Sequence, residues 1–289
     1  MAMWRRAVAA AVALLVAACS SGSADELTRA STPTTETTTP TTSTTTGPAP
    51  PPTTPGLTRP AWLGTRPLPV RSDGFGEVLP TPPELVDRRI PTVDVFPPPA
   101  DGIFAFTTNA VPNDVAARST WHADCPVTLE QLRYVTVSFW GFDDRPHTGE
   151  LLVNAEVADD VAGVFRGLYD ARFPIEEMRI IRAEELDAPP TGDGNATTAF
   201  VCRPAVGGSS WSQHAFGLAI DINPFHNPYR RGDLVLPELA SAYVDRDHDR
   251  PGMIQPQGPV TVAFDAIGWG WGGRWSSLLD YMHFSRSGR

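Results

Sequence analysis

Between Ser20 and Pro60 the chain consists almost wholly of small and polar residues, Thr and Pro above all, with hardly a large apolar side chain. Such a stretch cannot bury enough surface to offset the entropy of ordering it. A compact fold must therefore come from residues beyond Pro60, and residues 20–60 are expected to be a disordered tether. Proline-rich segments extend by about 3.1 Å per residue, so roughly forty residues reach on the order of 100 Å. The Thr-rich composition also permits O-linked sugars.

Ahead of the tether, Arg5 and Arg6 precede an apolar run from Ala7 to Ala18. That run suits the core of an export signal but is too short to span a bilayer. It ends in Val16-Ala17-Ala18-Cys19, the small-residue cleavage pattern of a bacterial lipoprotein. Residues 1–19 are therefore expected to be a signal peptide ending at a lipidated Cys19. This places the mature protein in the cell envelope, outside the cytoplasm, held to the membrane by its lipid anchor. Cys125 and Cys202 are then the remaining cysteines. An even number in an oxidising compartment favours a disulfide over two independent buried thiols. The formal charge is -10, and all 23 basic residues are Arg, which argues against a nucleic-acid partner because phosphate binding relies on a cationic surplus.

Residues 61–119 stay rich in Pro but gain scattered apolar positions such as Trp62, Phe75, Phe96 and Phe104. They read as an irregular segment packed on the adjoining domain, residues 120–289, whose size suits one hydrophobic core. Within that domain Leu132 to Trp140 alternates and is rich in β-branched and aromatic residues, so it is expected to be a strand, with a short second strand over 149–153. Val157, Val161, Val164, Phe165 and Leu168 recur at helical spacing, predicting a helix over 155–172. Further strands are expected over 177–182, 219–223 and 280–285, with a loop over 189–195. Strands and helices without a βαβ rhythm imply an α+β domain.

The chemistry gathers in two blocks. In Ser212-Gln213-His214-Ala215-Phe216-Gly217-Leu218-Ala219-Ile220-Asp221-Ile222, a His and an Asp stand seven apart around a Gly, with the Asp between two Ile. A carboxylate in an apolar strand is costly unless something neutralises it. A hydrogen bond or a cap is the ordinary role of such a pair, and a metal ion is the other. The second block, Asp280-Tyr281-Met282-His283-Phe284, again sets a carboxylate beside a His. Together they offer two imidazoles and one carboxylate, which leaves a tetrahedral position open for water and one acid to spare as a base.

The pattern Ser-x-His-x-x-Gly-x-Ala-x-Asp, followed by Gly268-Trp269-Gly270-Trp271-Gly272-Gly273 and then Asp280-x-x-His283-Phe284, resembles the D-alanyl-D-alanine carboxypeptidase and L-alanyl-D-glutamate endopeptidase family of zinc peptidases, over roughly 149–284. The resemblance implies an α+β fold of the hedgehog/DD-peptidase-like kind, a small antiparallel sheet flanked by helices that carry the zinc site. It implies Zn2+ bound by His214, Asp221 and His283, with Asp280 as general base where many relatives carry Glu. Arg203 is implied as the cationic group that steadies substrate, and Ser212 as a substrate contact or a support of the ligands. The implied activity is hydrolysis of peptidoglycan stem peptides, either as a carboxypeptidase or as an endopeptidase; the sequence does not fix the oligomeric state, and a monomer is expected. The other reading is a non-catalytic, zinc-containing lipoprotein that binds peptidoglycan.

Other candidates have plainer roles. Trp269, Trp271 and Trp275 suit the core better than a peptide groove. Asp245 to Asp249 imitates the start of a calcium loop but has Arg250 where a Gly is needed and Pro256 where a Glu is needed. His122, His147, His226 and His248 are expected to be surface or structural residues. Asn195-Ala196-Thr197 matches a glycosylation pattern, which carries little weight in a bacterial lipoprotein. No Gly-x-Ser-x-Gly elbow supports a serine hydrolase built on Ser209, Ser210 or Ser212.

Overall fold

The computed structural model describes residues 58–289. The signal peptide, Cys19 and nearly all of the tether expected from the sequence lie outside the described residues. None of the described helices is long and apolar enough to cross a membrane.

The segment read as irregular contains regular structure. Strand β1, Phe106–Asn109, and the short helix α1, Asn113–Arg118, both fall within residues 61–119. Strand β2, Leu132–Trp140, and strand β3, Pro146–Asn154, form a long antiparallel hairpin, and β1 adds to the free edge of β2 with Phe106 opposite Val137. A strand at an exposed edge can tolerate a polar sequence because one face and one ladder are solvated. This is why Phe106-Thr107-Thr108-Asn109 shows no periodic signal. Strand β3 runs longer than expected at both ends, since pairing with β2 recruits its neighbours.

Helix α2, Ala158–Asp170, comes directly after a single 3-10 turn over 155–157. The Asn154 side chain accepts a hydrogen bond from the Glu156 N–H at the start of that turn, and Asp159 and Asp160 occupy the positive end of the helix. Val161, Val164, Phe165 and Leu168 are all buried against the inner face of the hairpin, as their spacing implied.

The later strands are shorter than the sequence suggested. Strand β4, Glu177–Met178, pairs in parallel with β5, Ala196–Thr197; residues 179–182 leave the ladder. Strand β6, Ala219–Asp221, stops before Asn223, whose φ of 45° breaks the extended run. Strands β7, Tyr229–Arg231, and β8, Leu234–Leu236, form a tight hairpin. Helix α3, Pro259–Ala266, starts with Pro at its first position, where the missing N–H costs nothing. After β9, Gly270–Trp271, the expected strand 280–285 divides into β10, Leu279–Asp280, and β11, His283–Ser285. The two halves join different sheets: β10 pairs with β7, whereas β11 lies between β6 and β9.

The result is an α+β arrangement of small, mostly antiparallel sheets with few helices. The metal-ligand candidates sit on β6, β11 and one 3-10 turn rather than on α-helices.

Residues 61–119 are also tied down by buried groups. Leu63, Leu68, Leu85 and Ile90 pack with Phe225, Leu239 and Tyr243. Arg88 is buried and clamps the buried Glu176 through two hydrogen bonds of 2.7 and 2.6 Å. Asn195 donates to the same carboxylate and contacts His226, whose other nitrogen donates to the Arg88 carbonyl. Burial pushes the His226 imidazole down to about 4, so it stays neutral. His147, also buried, stands between Asp94 and Asp143. Both histidines are thus structural, while His122 and His248 are exposed.

Candidate metal centre

The local sequence of the first block shapes one turn of 3-10 helix, Gln213–Phe216, for a specific purpose. Ser212 caps it, its hydroxyl accepting the His214 N–H. Gly217 ends it at φ 65°, a conformation that strains any residue with a Cβ. A Cβ there would also meet the Asn154 backbone nitrogen at 2.7 Å. The turn delivers His214 into the interior, and the chain then enters β6 at once.

Strand alternation does the rest. Ile220 and Ile222 point into the core and are fully buried, so Asp221 must face the other way. On β11, Phe284 points inward and stacks on Phe264 of α3 with ring centroids 4.0 Å apart, which turns His283 to the same side as Asp221. The register makes His283 and Asp221 direct cross-strand partners.

Three donor atoms therefore converge. His214 Nε2 lies 3.1 Å from Asp221 Oδ1 and 3.2 Å from His283 Nδ1, and His283 Nδ1 lies 3.1 Å from the same Oδ1. A tetrahedral zinc ion with bonds of about 2.0–2.1 Å holds its donors about 3.3 Å apart, close to these separations. The tautomer of His214 agrees, because its Nδ1 contacts the Ala199 carbonyl, which can only accept. Nδ1 must then carry the proton, leaving the Nε2 lone pair aimed at the common centre. This is how metal-bound imidazoles are usually oriented. Burial alone would raise the Asp221 carboxyl; in the absence of a cation it is held well below the usual range only by imidazolium forms of His214 and His283, which supply positive charge and hydrogen bonds, and a cation takes that place when the Nε2 lone pair is free.

Asp280 lines the same cleft as the three donors. Its strand pairs with β7, with Asp280 opposite Tyr229, and Gly272 lies close against its backbone. A Cβ on Gly272 would come within 2.6 Å of the Asp280 carbonyl oxygen, which gives one glycine of the Trp-Gly-Gly run its reason. Burial raises the Asp280 carboxyl to about 7, and the nearby Asp221 charge adds to the effect while His283 and Arg203 oppose it. Its buried Oδ1 has no hydrogen-bond partner among the described residues.

These groups line one cleft of about 810 Å³. Arg203 and Ser212 line it too, joined through the Ser212 N–H and the Arg203 carbonyl. The Arg203 guanidinium donates to the Pro204 carbonyl and forms no ion pair among the described residues, so its charge is free to meet an anionic ligand. Cys202, next to it, is bonded to Cys125, so this end of the cleft is covalently fixed. His122 lies near those two sulfurs, but a disulfide offers no thiolate for a metal.

Of the three tryptophans weighed in the sequence, Trp269 and Trp271 are core residues. Trp275 instead lines the cleft, with its ring 5.6 Å from that of His283. The Asp245–Asp249 stretch is an exposed turn in which Asp245 accepts the Asp247 N–H and contacts His248. Sequence reasoning passed over Trp211, an exposed aromatic in the cleft wall, although its place beside the Ser212 motif was a signal. It could not have found the Ala199 carbonyl, a backbone group distant in sequence.

No curated protein and no solved structure gives a match. Residues 206–286 match the family model described as D-alanyl-D-alanine carboxypeptidase. The matched stretch includes His214, Asp221, Asp280 and His283 but begins after Arg203. The family that the two sequence blocks resemble is thus the one whose model the region 206–286 fits.

Proposed function

We propose that this chain is an exported, lipid-anchored zinc peptidase that hydrolyses stem peptides of peptidoglycan. The observation that carries the reading is the donor triangle of His214, Asp221 and His283, with an acid of raised pKa beside it. The family match supports a peptidase, and the sequence of residues 1–19 supports export with Cys19 as the lipidated residue.

Zinc held by the three ligands would supply Lewis acidity and a water whose pKa falls to about 7. The remaining steps belong to the chain. Asp280, ionised, accepts the proton of the attacking water and then returns it to the leaving amine, so that one carboxyl serves as base and acid in turn. Burial raises its pKa to about 7 in the absence of a cation, and a cation on the three ligands lowers it again, which favours the ionised form that takes the proton. Arg203 faces the substrate's carboxylate or the developing oxyanion with an unpaired guanidinium. Ser212 supports the site by fixing the turn that presents His214.

The test is mass spectrometry of muropeptides incubated with zinc-loaded protein, beside a chelated control and the Asp280→Ala variant. Cleavage that disappears with the metal, and falls at least about 100-fold in Asp280→Ala with zinc content unchanged, is the expected result. The product masses assign the bond, either a terminal D-Ala or one within the stem. Intact muropeptides with zinc bound would point instead to a non-catalytic binding protein.

A further inference from the structure

A tryptophan ring is the largest rigid apolar surface a side chain offers, so one left part-exposed in the wall of a cleft is a ready contact for a ligand. Trp211 is 39% exposed, more than any other Trp, Phe or Tyr among the described residues. It stands in the wall of the cleft that holds the metal ligands, three residues before His214.

The backbone around it is built to hold it there. Pro204 and Trp211 form a β-bridge, and the Ala205 N–H donates to the Ser210 carbonyl 2.9 Å away. Residues 204–211 thus make a small hairpin whose two feet continue into Arg203 and Ser212. Gly207 at its tip packs against the Arg231 guanidinium, since a Cβ there would lie 2.8 Å from Nη2. The cleft extends from the metal ligands to this hairpin and to the apolar side chains of Val206, Leu236 and Leu278. Its volume, about 810 Å³, is near the upper end of ligand pockets and more than a terminal dipeptide fills.

We propose that Trp211 is a specificity-determining residue, the wall of a subsite that takes the stem-peptide residues beyond the two that flank the scissile bond. The inference rests on the peptidase reading and deepens it by giving the cleft a preference for longer peptides. A peptide is the occupant because the surface beside the ring is continuous with the proposed catalytic cleft. That surface combines small hydroxyls, apolar side chains and the unpaired Arg203 guanidinium, which suits alanine methyls, backbone amides and a carboxylate. Aromatic contact plus the buried ring area is expected to contribute about tenfold in affinity.

The test is calorimetric titration of the zinc-loaded protein, parent, Trp211→Ala and Trp211→Phe, with a stem pentapeptide, the dipeptide spanning the bond that the muropeptide products assign, and the pentapeptide bearing its muramyl sugar. Asp280→Asn in every chain slows turnover during the measurement. The expected result is a pentapeptide Kd about tenfold weaker in Trp211→Ala, a dipeptide Kd changed less than about threefold, and recovery to within about threefold of the parent in Trp211→Phe. Equal weakening for pentapeptide and dipeptide, or none for either, overturns the inference. A loss confined to the sugar-bearing ligand also overturns it, because the ring would then serve the glycan. Hydrolysis by the chain with Asp280 intact is scored separately. Peptides that bind but are never cut sink the peptidase reading and leave Trp211 judged by affinity, whereas a parent that binds none of the three sinks both.

Discussion

Asp280 is the residue on which the proposed chemistry turns, and its burial has a consequence for stability that needs no substrate. In the folded protein without a bound cation the carboxyl keeps its proton up to about 7, against an ordinary value of 3.8. The unfolded chain therefore loses its proton first as pH rises. The stability this group contributes is present below about pH 4 and is lost as pH climbs through 7. Thermal unfolding in chelator should show a fall over that window that Asp280→Asn removes, and an unchanged pH dependence in the variant would refute the assigned shift. A cation on His214, Asp221 and His283 opposes the effect, so zinc should flatten the same curve. These four residues were legible in the sequence because their chemistry is unusual beside Ile220, Ile222 and Phe284. The roles of Arg203 and Ser212 came from resemblance alone, and the structure gives Ser212 a definite task as the cap of the His214 turn.

At the scale of elements, the site depends on two short strands held from behind. β6 and β11 pair over three residues each, so their ladder alone is marginal, and the stacking of Phe284 on Phe264 and the burial of Ile220 and Ile222 fix their faces. A one-residue slip of β11 would turn His283 into the core and Phe284 into the cleft. Residues 61–119 brace the other side through Arg88. Removing one member of a buried, doubly hydrogen-bonded pair strands the other charge, at a cost of about 3–5 kcal/mol. Arg88→Ala should lower the unfolding free energy by that amount in urea titrations, and a loss under about 1 kcal/mol would show the clamp to be dispensable. Nothing in the sequence warned of this pair, because an arginine in a Pro-rich stretch and a glutamate 88 positions further on have no local relation. Nor could the sequence divide 280–285 into two strands, because the break at Tyr281 and Met282 arises from each half finding a different partner.

For the molecule as a whole, the Cys125–Cys202 bond closes a loop of 77 residues in sequence separation that carries the β2–β3 hairpin and α2. Loop-closure entropy for that length is worth up to about 4.5 kcal/mol. Cys125→Ser/Cys202→Ser should therefore melt well below the parent, a difference that reducing agent abolishes by lowering the parent alone. Because Cys202 adjoins Arg203 at the cleft, the double variant should also weaken peptide binding more than zinc binding. An unchanged melting temperature would mean the surrounding core already restricts the chain as tightly as the bond does.

What the primary structure settled was chemistry and local form: the candidate ligand types, the hairpin strand β2, the helix face of α2 and the α+β class. These rest on side-chain type and on periods of two and 3.6, which are short-range properties. Convergence was settled only by the fold. Whether the His283 imidazole comes within 3.2 Å of His214 and Asp221, which precede it by 69 and 62 positions, depends on the register of β6 against β11. That register is fixed by packing against α3, and no neighbour in the chain records it.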